Sequence, residues 1–377
     1  MSVFARLFPL LFLAASPHLL PAQSEACQEA FEVRDQIREK MSLAKPDWSA
    51  LHYKVKQQTQ ECDLLASLWK LREELAVKVK DHEDAKMARD RLTGRFVIRD
   101  AEFEALLASR PQSFNPATPV NNYWALIAGT GEFKEKGKAL EFAARDLEAI
   151  QDLVTRWGYP PDHILTATGP GFTKANFTEE IAFLRESVLE NDIVFVYVLS
   201  HGMEGAEDAN SSSVLLTADS DISTPKRRYE TGIQTIALVQ EIFRELKASR
   251  VVLILDACFS GDAITGQRAS AGQLSPRFLD LLTQNSGRVI LSASSADQRS
   301  FELREKSMGA FAYCLTEAAK KHTSATILDL FSATQTCVSE EVSNLPDHPE
   351  QRPSIYASDK AKRIALARPN WHPRLRR

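Results

Sequence analysis

The 377-residue chain lacks an excess of charge of either sign. Its 46 lysines and arginines are nearly balanced by 50 aspartates and glutamates, which gives a formal net charge of −4. Proteins that bind nucleic acid present a sustained basic patch or stripe, and the basic residues here are scattered. The sequence therefore does not indicate a nucleic-acid partner.

The sequence also lacks an apolar run long enough to span a membrane. A short apolar run at residues 7–15 follows Arg6. A single cation followed by a short apolar core is typical of a secretory signal peptide, and we predict a signal peptide over 1–22 with cleavage near Ala22. An uncleaved membrane anchor is the alternative, but the run is short for a membrane-spanning helix and prolines interrupt it. We therefore expect an exported protein, periplasmic or extracellular, that has no membrane contact after cleavage.

Cysteine is scarce, and its five residues are odd in number: 27, 62, 258, 314 and 337. In an oxidising compartment, one free thiol and two disulfides would account for all of them. Cys27 and Cys62 fall in predicted helices that flank a turn, and we predict that they form a disulfide. Cys314 and Cys337 lie on two consecutive helical patterns, where they could pair or fill the core.

Glycine and proline are rare between residues 25 and 108, where charged residues alternate with apolar ones at helical spacing. Asp47, which follows a proline, is predicted to cap a helix. We expect two or three antiparallel helices over 25–108, which could inhibit, recruit, mediate self-association or serve only as a structural cap. Residues 109–119 contain three prolines and are predicted to be a linker. The clearest helical run consists of Leu64, Leu65, Leu68, Leu71, Leu75 and Val79.

Two apolar strings each end in residues suited to catalysis. One runs from Asp192 through Ser200-His201-Gly202, and the other runs from Arg250 through Asp256-Ala257-Cys258 to Gly261. Five to eight consecutive apolar β-formers predict buried parallel strands. Functional residues of an open α/β sheet gather at the carboxyl ends of such strands, so we expect His201 and Cys258 to meet there.

A histidine beside a cysteine is a nucleophile with its proton carrier. The imidazolium can lower the thiol pKa from its usual value of about 8.5. Backbone N–H groups near Gly202 and at Cys258 could bind a developing oxyanion. A satisfied core histidine and an inert buried cysteine are the alternative for either residue alone, and the occurrence of both at strand ends disfavours it.

Alternating strands and helices after residue 120 predict a mostly parallel sheet that is covered on both faces. Asn176 and Glu179 are predicted to form a capping box. The predicted order is strand 122–129, helix 138–157, strand 162–168, helix 176–190, strand 192–199, a short strand near 213–218, helix 234–248, strand 250–257, helix 275–285, strand 288–293, and helices 309–320 and 326–343.

The two strings resemble those of the caspase/metacaspase clan of cysteine peptidases, most closely bacterial caspase-like proteins (orthocaspases). The resemblance implies an α/β three-layer sandwich over 120–362, preceded by the small helical segment and followed by a basic tail over 363–377. It also implies a Cys–His dyad that cleaves protein or peptide substrates through a thioester. The similar segments are 123–129, 140–150, 214–219, 289–298 and 309–315.

Two aspartates indicate which substrate side chain the enzyme would accept. Caspases proper carry Gln in place of Asp256 and accept aspartate, whereas metacaspases carry Asp there and at the position matching Asp146, and they accept Arg or Lys. Two carboxylates in a cleft favour a cation, and Arg can be bound bidentately. Alternatively, Asp146 is a solvated helix-face charge near Arg145 and Asp256 binds a backbone N–H. A non-catalytic binding module and a related peptidase of different specificity remain the other functional interpretations.

Two further features of the sequence concern regulation. Arg268 lies in a small, polar segment after Cys258 and is a candidate self-cleavage site, and the basic loop 226–228 is a second target. The predicted chemistry requires no cofactor. Many metacaspases need calcium, however, and hard oxygen ligands could come from Glu207, Asp208, Asp219 and Asp221.

Overall fold

A computed structural model of the protein describes residues 22–43, 45–61, 66–93, 114–134, 139–203, 214–258, 286–295, 298–321 and 326–369, together with Leu279 and Thr283. Several predicted features lie outside these residues: the signal peptide as far as residue 21, Cys62 of the predicted Cys27–Cys62 disulfide, the segment around Arg268, most of helix 275–285, and the tail from residue 370.

Ten α-helices and ten strands are found in the described ranges. The helices are α1 (Ala22–Met41), α2 (Trp48–Glu61), α3 (Ala66–Lys78), α4 (His82–Thr93), α5 (Ala143–Arg156), α6 (Lys174–Ser187), α7 (Pro225–Thr231), α8 (Thr235–Glu245), α9 (Ala310–Lys321) and α10 (Ile327–Ser343). The strands are β1 (Tyr123–Gly129), β2 (Ile164–Thr168), β3 (Ile193–Met203), β4 (Val214–Leu215), β5 (Ile233–Gln234), β6 (Arg250–Cys258), β7 (Gly287–Ser292), β8 (Glu302–Leu303), β9 (Met308–Gly309) and β10 (Ser354–Ala357). None of the described helices is long and apolar enough to cross a membrane.

The N-terminal segment contains four helices, α1–α4, rather than the two or three predicted. The break between α3 and α4 carries no Gly or Pro signal, because the turn is made by Lys80 in the left-handed region with φ 62°. Asp47 does cap α2, since its side chain accepts a hydrogen bond from Ala50 N at 3.0 Å. The cap of α2 was therefore predictable from the sequence, whereas this turn was not.

A buried ionic cluster joins three of these helices. Asp84 of α4 accepts hydrogen bonds from Arg72 of α3 and lies 2.7 Å from His52 Nε2 of α2. Burial raises the pKa of Asp84, but the hydrogen bonds from Arg72 and His52 outweigh it and hold that pKa below its ordinary value. The cluster fixes how α2, α3 and α4 pack.

The sheet has the strand order β10-β7-β6-β3-β1-β2, in which β10 is antiparallel and the other neighbours are parallel. Strands β4 and β5 extend it beside the end of β3, and β8 pairs with β9 in a separate hairpin. The sequence identified the parallel strands because continuous apolar runs are typical of strands buried on both faces. It did not identify β5, β8, β9 or β10, which are short.

Alternate residues of each central strand enter two hydrophobic cores on opposite faces of the sheet. Helices α5, α9 and α10 cover one core, and α6 and α8 cover the other, with which the buried residues of the N-terminal helices are continuous. The prediction of a three-layer α/β sandwich with a mostly parallel sheet is thus confirmed. The layer of α5 and α9 is the one that carries the candidate site.

Some predicted boundaries are wrong for local reasons. The helix predicted to begin at residue 138 begins at Ala143, because Leu140 N bonds Gly131 O and Phe142 N bonds Glu302. Helix α6 is capped by Thr173, whose side chain accepts from Asn176 N, so Asn176 is not the cap.

The basic segment 226–228, predicted to be a loop, lies in helix α7. Thr224 caps this helix by accepting a hydrogen bond from Arg227 N at 3.1 Å. A helical segment does not extend readily into a protease site, so the structure weakens its interpretation as a cleavage target.

Helices α9 and α10 are joined by a disulfide between Cys314 and Cys337. The sequence left open whether these two cysteines pair or only fill the core, and in the structure they pair. Replacing both cysteines with alanine should lower the free energy of unfolding by about 3 kcal/mol, because the crosslink restricts the unfolded chain. Denaturant unfolding under non-reducing conditions measures this, and an unchanged midpoint would show that the disulfide does not stabilise the fold.

Candidate active site

The backbones of His201 and Cys258 lie side by side. Strands β3 and β6 are parallel neighbours, and their register pairs the Cα of His201 with the Cα of Cys258 at the carboxyl ends of both strands. Neighbouring strands are about 4.8 Å apart. The two residues that the sequence singled out are therefore brought together by the sheet itself.

The strand end that carries His201 is held on two sides. Leu216 N donates to His201 O at 2.9 Å, and Gly202 pairs with Leu215 of β4. The ring of Phe133 packs against the imidazole, with 5.0 Å between ring centroids and 35° between planes. The half-buried His201 side chain is thus supported by packing as well as by its strand.

A cavity that is partly open to solvent lies beside His201, with about 430 Å³ of empty space when the solvent at its mouth is included. Its acidic lining residues are Asp146, Asp256 and Glu302, and apolar side chains such as Leu199 form part of its wall. A concave, mostly apolar site with a few polar groups is the usual form of a binding pocket. The two aspartates predicted to bind substrate thus share one cavity with the predicted catalytic histidine.

Asp146 lies in the first turn of α5 and is only 3 % exposed. Both carboxylate oxygens accept from Gly309 N at 3.0 Å. A Cβ on Gly309 would lie 2.8 Å from Asp146 Oδ2, so this approach requires glycine. Burial, followed by the nearby Asp256, raises the pKa of Asp146 to about 8. The alternative of a solvated helix-face charge is wrong.

Asp256 lies two residues before Cys258 on β6 and is 9 % exposed. Among the described residues it accepts a hydrogen bond from the Tyr197 hydroxyl at 2.5 Å and none from a backbone N–H, which is the partner that the alternative interpretation required. Burial raises the pKa of Asp256 to about 6, and the Tyr197 hydrogen bond opposes that rise. The pKa values of Asp146 and Asp256 therefore lie near neutral pH, so a bound cation can shift either group towards its charged form.

The hydrogen bonds that reach these two carboxyl groups within the described ranges come from Gly309 and Tyr197, not from a lysine or arginine. Arg145, which is exposed on α5, opposes the rise of the Asp146 pKa only through space. A buried carboxylate without a cationic partner is destabilising. The pocket is thus suited to a ligand that brings a positive charge.

The candidate calcium ligands are already hydrogen-bonded where they are described. Asp219 accepts from the Thr217 hydroxyl at 2.8 Å, and Asp221 accepts from Ser223 N and Oγ at 3.0 and 2.6 Å. Arg227 lies 3.8 Å from Asp221. Glu207 and Asp208 are outside the described residues.

Among the described residues, a group with metal-ligand spacing is formed by His52, Asp81 and Asp84. Arg72 lies 2.6 Å from Asp84 and Lys56 lies 3.5 Å from it, so its charge is already balanced. The chemistry of this group is that of an ion pair within the helical segment rather than of a metal site.

Several residues of the site were not singled out from the sequence. Tyr197 reads as one more apolar member of β3, and Glu302 belongs to a strand of two residues. Phe133 and Gly309 act through contacts with residues that are distant in sequence. No local pattern marks such residues, because their role comes from the tertiary arrangement.

A comparison with protein-family models matches residues 122–364 to the family described as the caspase domain. The match covers more than half of the chain, so the protein belongs to the caspase-domain family, and its α/β sandwich is the caspase-like fold. This is a family of cysteine peptidases. The domain accounts for the sheet, the cavity and both strand ends described above.

Solved structures that are similar to this chain include the following two. A structural genomics target protein from Geobacter sulfurreducens has a TM-score of 0.47 and 13 % identity, over 65 % of this chain and 97 % of that one. Caspase-1 from Spodoptera frugiperda has a TM-score of 0.46 and 17 % identity, over 66 % and 93 %. No curated protein matches the chain.

Proposed function

We propose that the protein is an exported cysteine endopeptidase that cleaves on the carboxyl side of Arg or Lys. The observation that carries this proposal is that buried Asp146 and Asp256 line the same cavity as His201. Export is supported by the apolar run at residues 7–15 and by the Cys314–Cys337 disulfide, a bond typical of oxidising compartments.

The proposed reaction is acyl transfer. The Cys258 thiolate attacks the carbonyl carbon of the scissile bond, and the resulting oxyanion is bound by backbone N–H groups near Gly202 and Cys258. Imidazolium at His201 gives its proton to the leaving amine as the C–N bond breaks, which leaves a thioester. Neutral His201 then takes a proton from water, whose oxygen displaces the thiolate and releases the carboxylate product. The adjacent backbones of His201 and Cys258 support this assignment.

The substrate side chain is proposed to enter the acidic cavity. A guanidinium or ammonium group there would supply the cation that Asp146 and Asp256 lack within the described part of the protein. A charge-assisted hydrogen bond of this kind is about twice as strong as a neutral one. Glu302, which also lines the cavity and accepts from Phe142 N at 3.0 Å, adds negative potential at its edge.

A peptide panel varied only at the residue before the cut tests the specificity. We expect turnover after Arg and Lys and at least about 100-fold slower turnover after citrulline, which keeps the shape of Arg but not its charge. Cleavage only after Asp or Asn would contradict the pocket assignment and leave the Cys–His chemistry standing. Running the panel with and without calcium also tests the candidate ligands Asp219 and Asp221.

A non-catalytic binding module is the second function to separate. Such a module would bind peptides without forming a covalent bond. Labelling by a thiol-directed peptidyl inhibitor ending in Arg, read by mass spectrometry at Cys258, would exclude it. Absence of labelling together with absence of turnover would contradict the peptidase proposal.

A further inference from the structure

We infer that Tyr197 is a positioning residue that fixes Asp256 as the anionic acceptor for the cationic side chain of the substrate. This inference rests on the proposed specificity for Arg or Lys and goes further, because it assigns that specificity partly to a residue of the sheet interior. Tyr197 is buried away from solvent and acts through its hydrogen bond to Asp256.

The geometry places the tyrosine directly behind the carboxyl group. Tyr197 lies in the middle of β3, is 0 % exposed, and is surrounded by the core that α5, α9 and α10 cover. In the β3–β6 register, Tyr197 pairs with Ile254, and Leu199 pairs with Asp256. The hydroxyl therefore reaches the next residue pair on the same face of the sheet, where it donates to Asp256 Oδ2 at 2.5 Å.

This contact leaves the other oxygen for a ligand. Oδ2 of Asp256 is bound by a phenol on a rigid, close-packed ring, so the carboxyl group cannot rotate freely. Within the described residues, Oδ1 accepts no hydrogen bond, while Asp256 itself lines the cavity. A fixed carboxyl group with one oxygen engaged and one available is preorganised to receive an N–H donor.

The tyrosine also favours the charged form of Asp256. A hydroxyl that donates to a carboxylate stabilises the anion, and this bond lowers the pKa of Asp256 against the rise caused by burial. Burial, together with Asp256 and Asp146, raises the pKa of Tyr197 well above its ordinary value. Tyr197 therefore keeps its proton and remains a donor.

Other titratable groups around Asp256 act in different directions. His201 lies further along β3, and Asp146 of α5 and Glu302 of β8 line the same cavity. Arg145 of α5 is exposed. The two acids disfavour a second negative charge, and His201 favours it when protonated. Among the described residues, Tyr197 is the group that favours the Asp256 anion through a direct hydrogen bond.

The test is the variant Tyr197→Phe, which keeps the ring and removes the hydroxyl. We expect kcat/KM for an Arg peptide to fall about tenfold, mainly through KM, because a hydrogen bond to a charged group is lost. The acidic limb of the kcat/KM profile should move to higher pH, because Asp256 loses the donor that stabilises its anion. The rate at which a small thiol reagent alkylates Cys258 should not change.

Tyr159→Phe is the matched control. Its hydroxyl is also buried but has no hydrogen-bond partner among the described residues, and it lies outside the cavity. Removing it should change neither kcat/KM nor the pH profile. In an Asp256→Asn background, Tyr197→Phe should add no further loss, because the two residues act as one unit.

Three results would overturn the inference. An acidic limb that stays in place in Tyr197→Phe would show that the hydroxyl does not set the charge of Asp256. A loss of activity accompanied by slower Cys258 alkylation and a lower unfolding midpoint would assign Tyr197 a structural role only. A wild-type enzyme that does not cleave after Arg or Lys would overturn the proposed specificity and this inference together, whereas the first two results leave that specificity intact.

Discussion

Replacing Cys258 with alanine is expected to lower kcat/KM for an Arg peptide by at least about 10⁴-fold, because the thioester cannot form without the thiol. His201→Ala is expected to cause a loss of similar size. The double variant should be no worse than Cys258→Ala, since a nucleophile and its proton carrier act as one unit and their effects are not additive. Steady-state kinetics with a fluorogenic peptide measures all three.

The control is the Cys314→Ala/Cys337→Ala double variant, assayed well below its unfolding temperature. It removes two cysteines that the structure pairs with each other in the core, so its kcat/KM should remain near that of the wild type. If Cys258→Ala kept more than about a tenth of wild-type activity, the nucleophile would have to be another residue.

The backbone of the site could be predicted from the sequence because it depends on two general rules. A buried parallel strand requires a continuous apolar run, and the runs before His201 and Cys258 are unusually clear. Reactive groups lie at the carboxyl ends of such strands. These rules require no knowledge of the register, and the structure then supplies a register that pairs the two residues.

The walls of the pocket could not be derived in that way. Asp146 is bound by Gly309, which lies 163 positions later in the sequence. Tyr197 belongs to an apolar string in which a core position is the ordinary interpretation, and only the β3–β6 register carries its hydroxyl to Asp256. The family resemblance indicated the two aspartates. Their hydrogen-bond partners, Gly309 and Tyr197, could be identified only from the fold.

Two helix starts were predicted wrongly for a related reason. The segment before α5 contains residues that favour a helix, but the N–H groups of Leu140 and Phe142 bond to Gly131 and Glu302 instead. Thr173 and Asn176 are both good capping residues, and the choice between them depends on where the preceding loop leaves the sheet. Local propensity was overridden by contacts with distant segments in the first case and was ambiguous in the second.

Asp146→Asn and Asp256→Asn are each expected to lower kcat/KM for Arg peptides by about 10²-fold or more at pH 9, because each removes one partner of a buried charge pair. Turnover of the citrulline peptide should change much less. Alkylation of Cys258 by a small reagent should keep its rate, since it does not use the pocket. Equal losses for the charged and uncharged peptides would contradict a role in specificity.

The loss caused by Asp146→Asn should depend on pH. The pKa of Asp146 is about 8 in the free protein, so at pH 6 the wild type also carries a proton there and resembles the variant. As the pH rises through about 8, wild-type Asp146 ionises and kcat/KM for an Arg peptide should rise, whereas in Asp146→Asn this rise should disappear. Arg peptides are required for the measurement, since Lys begins to lose its own charge at higher pH.

At high pH, Asp146→Asn should raise the stability of the fold although it lowers activity. The folded-state pKa of Asp146 is raised from 3.8 to about 8, so the folded protein binds this proton more tightly than the unfolded chain. The resulting stability is fully present below about pH 4 and is lost as the pH rises through about 8. Asp146→Asn carries no such proton and should therefore be more stable than the wild type at pH 9, by at least about 1 kcal/mol relative to the difference at pH 4. A variant that is more stable at high pH yet has lost turnover of Arg peptides would show that this buried carboxylate is retained for substrate binding rather than for folding, because folding alone favours the amide.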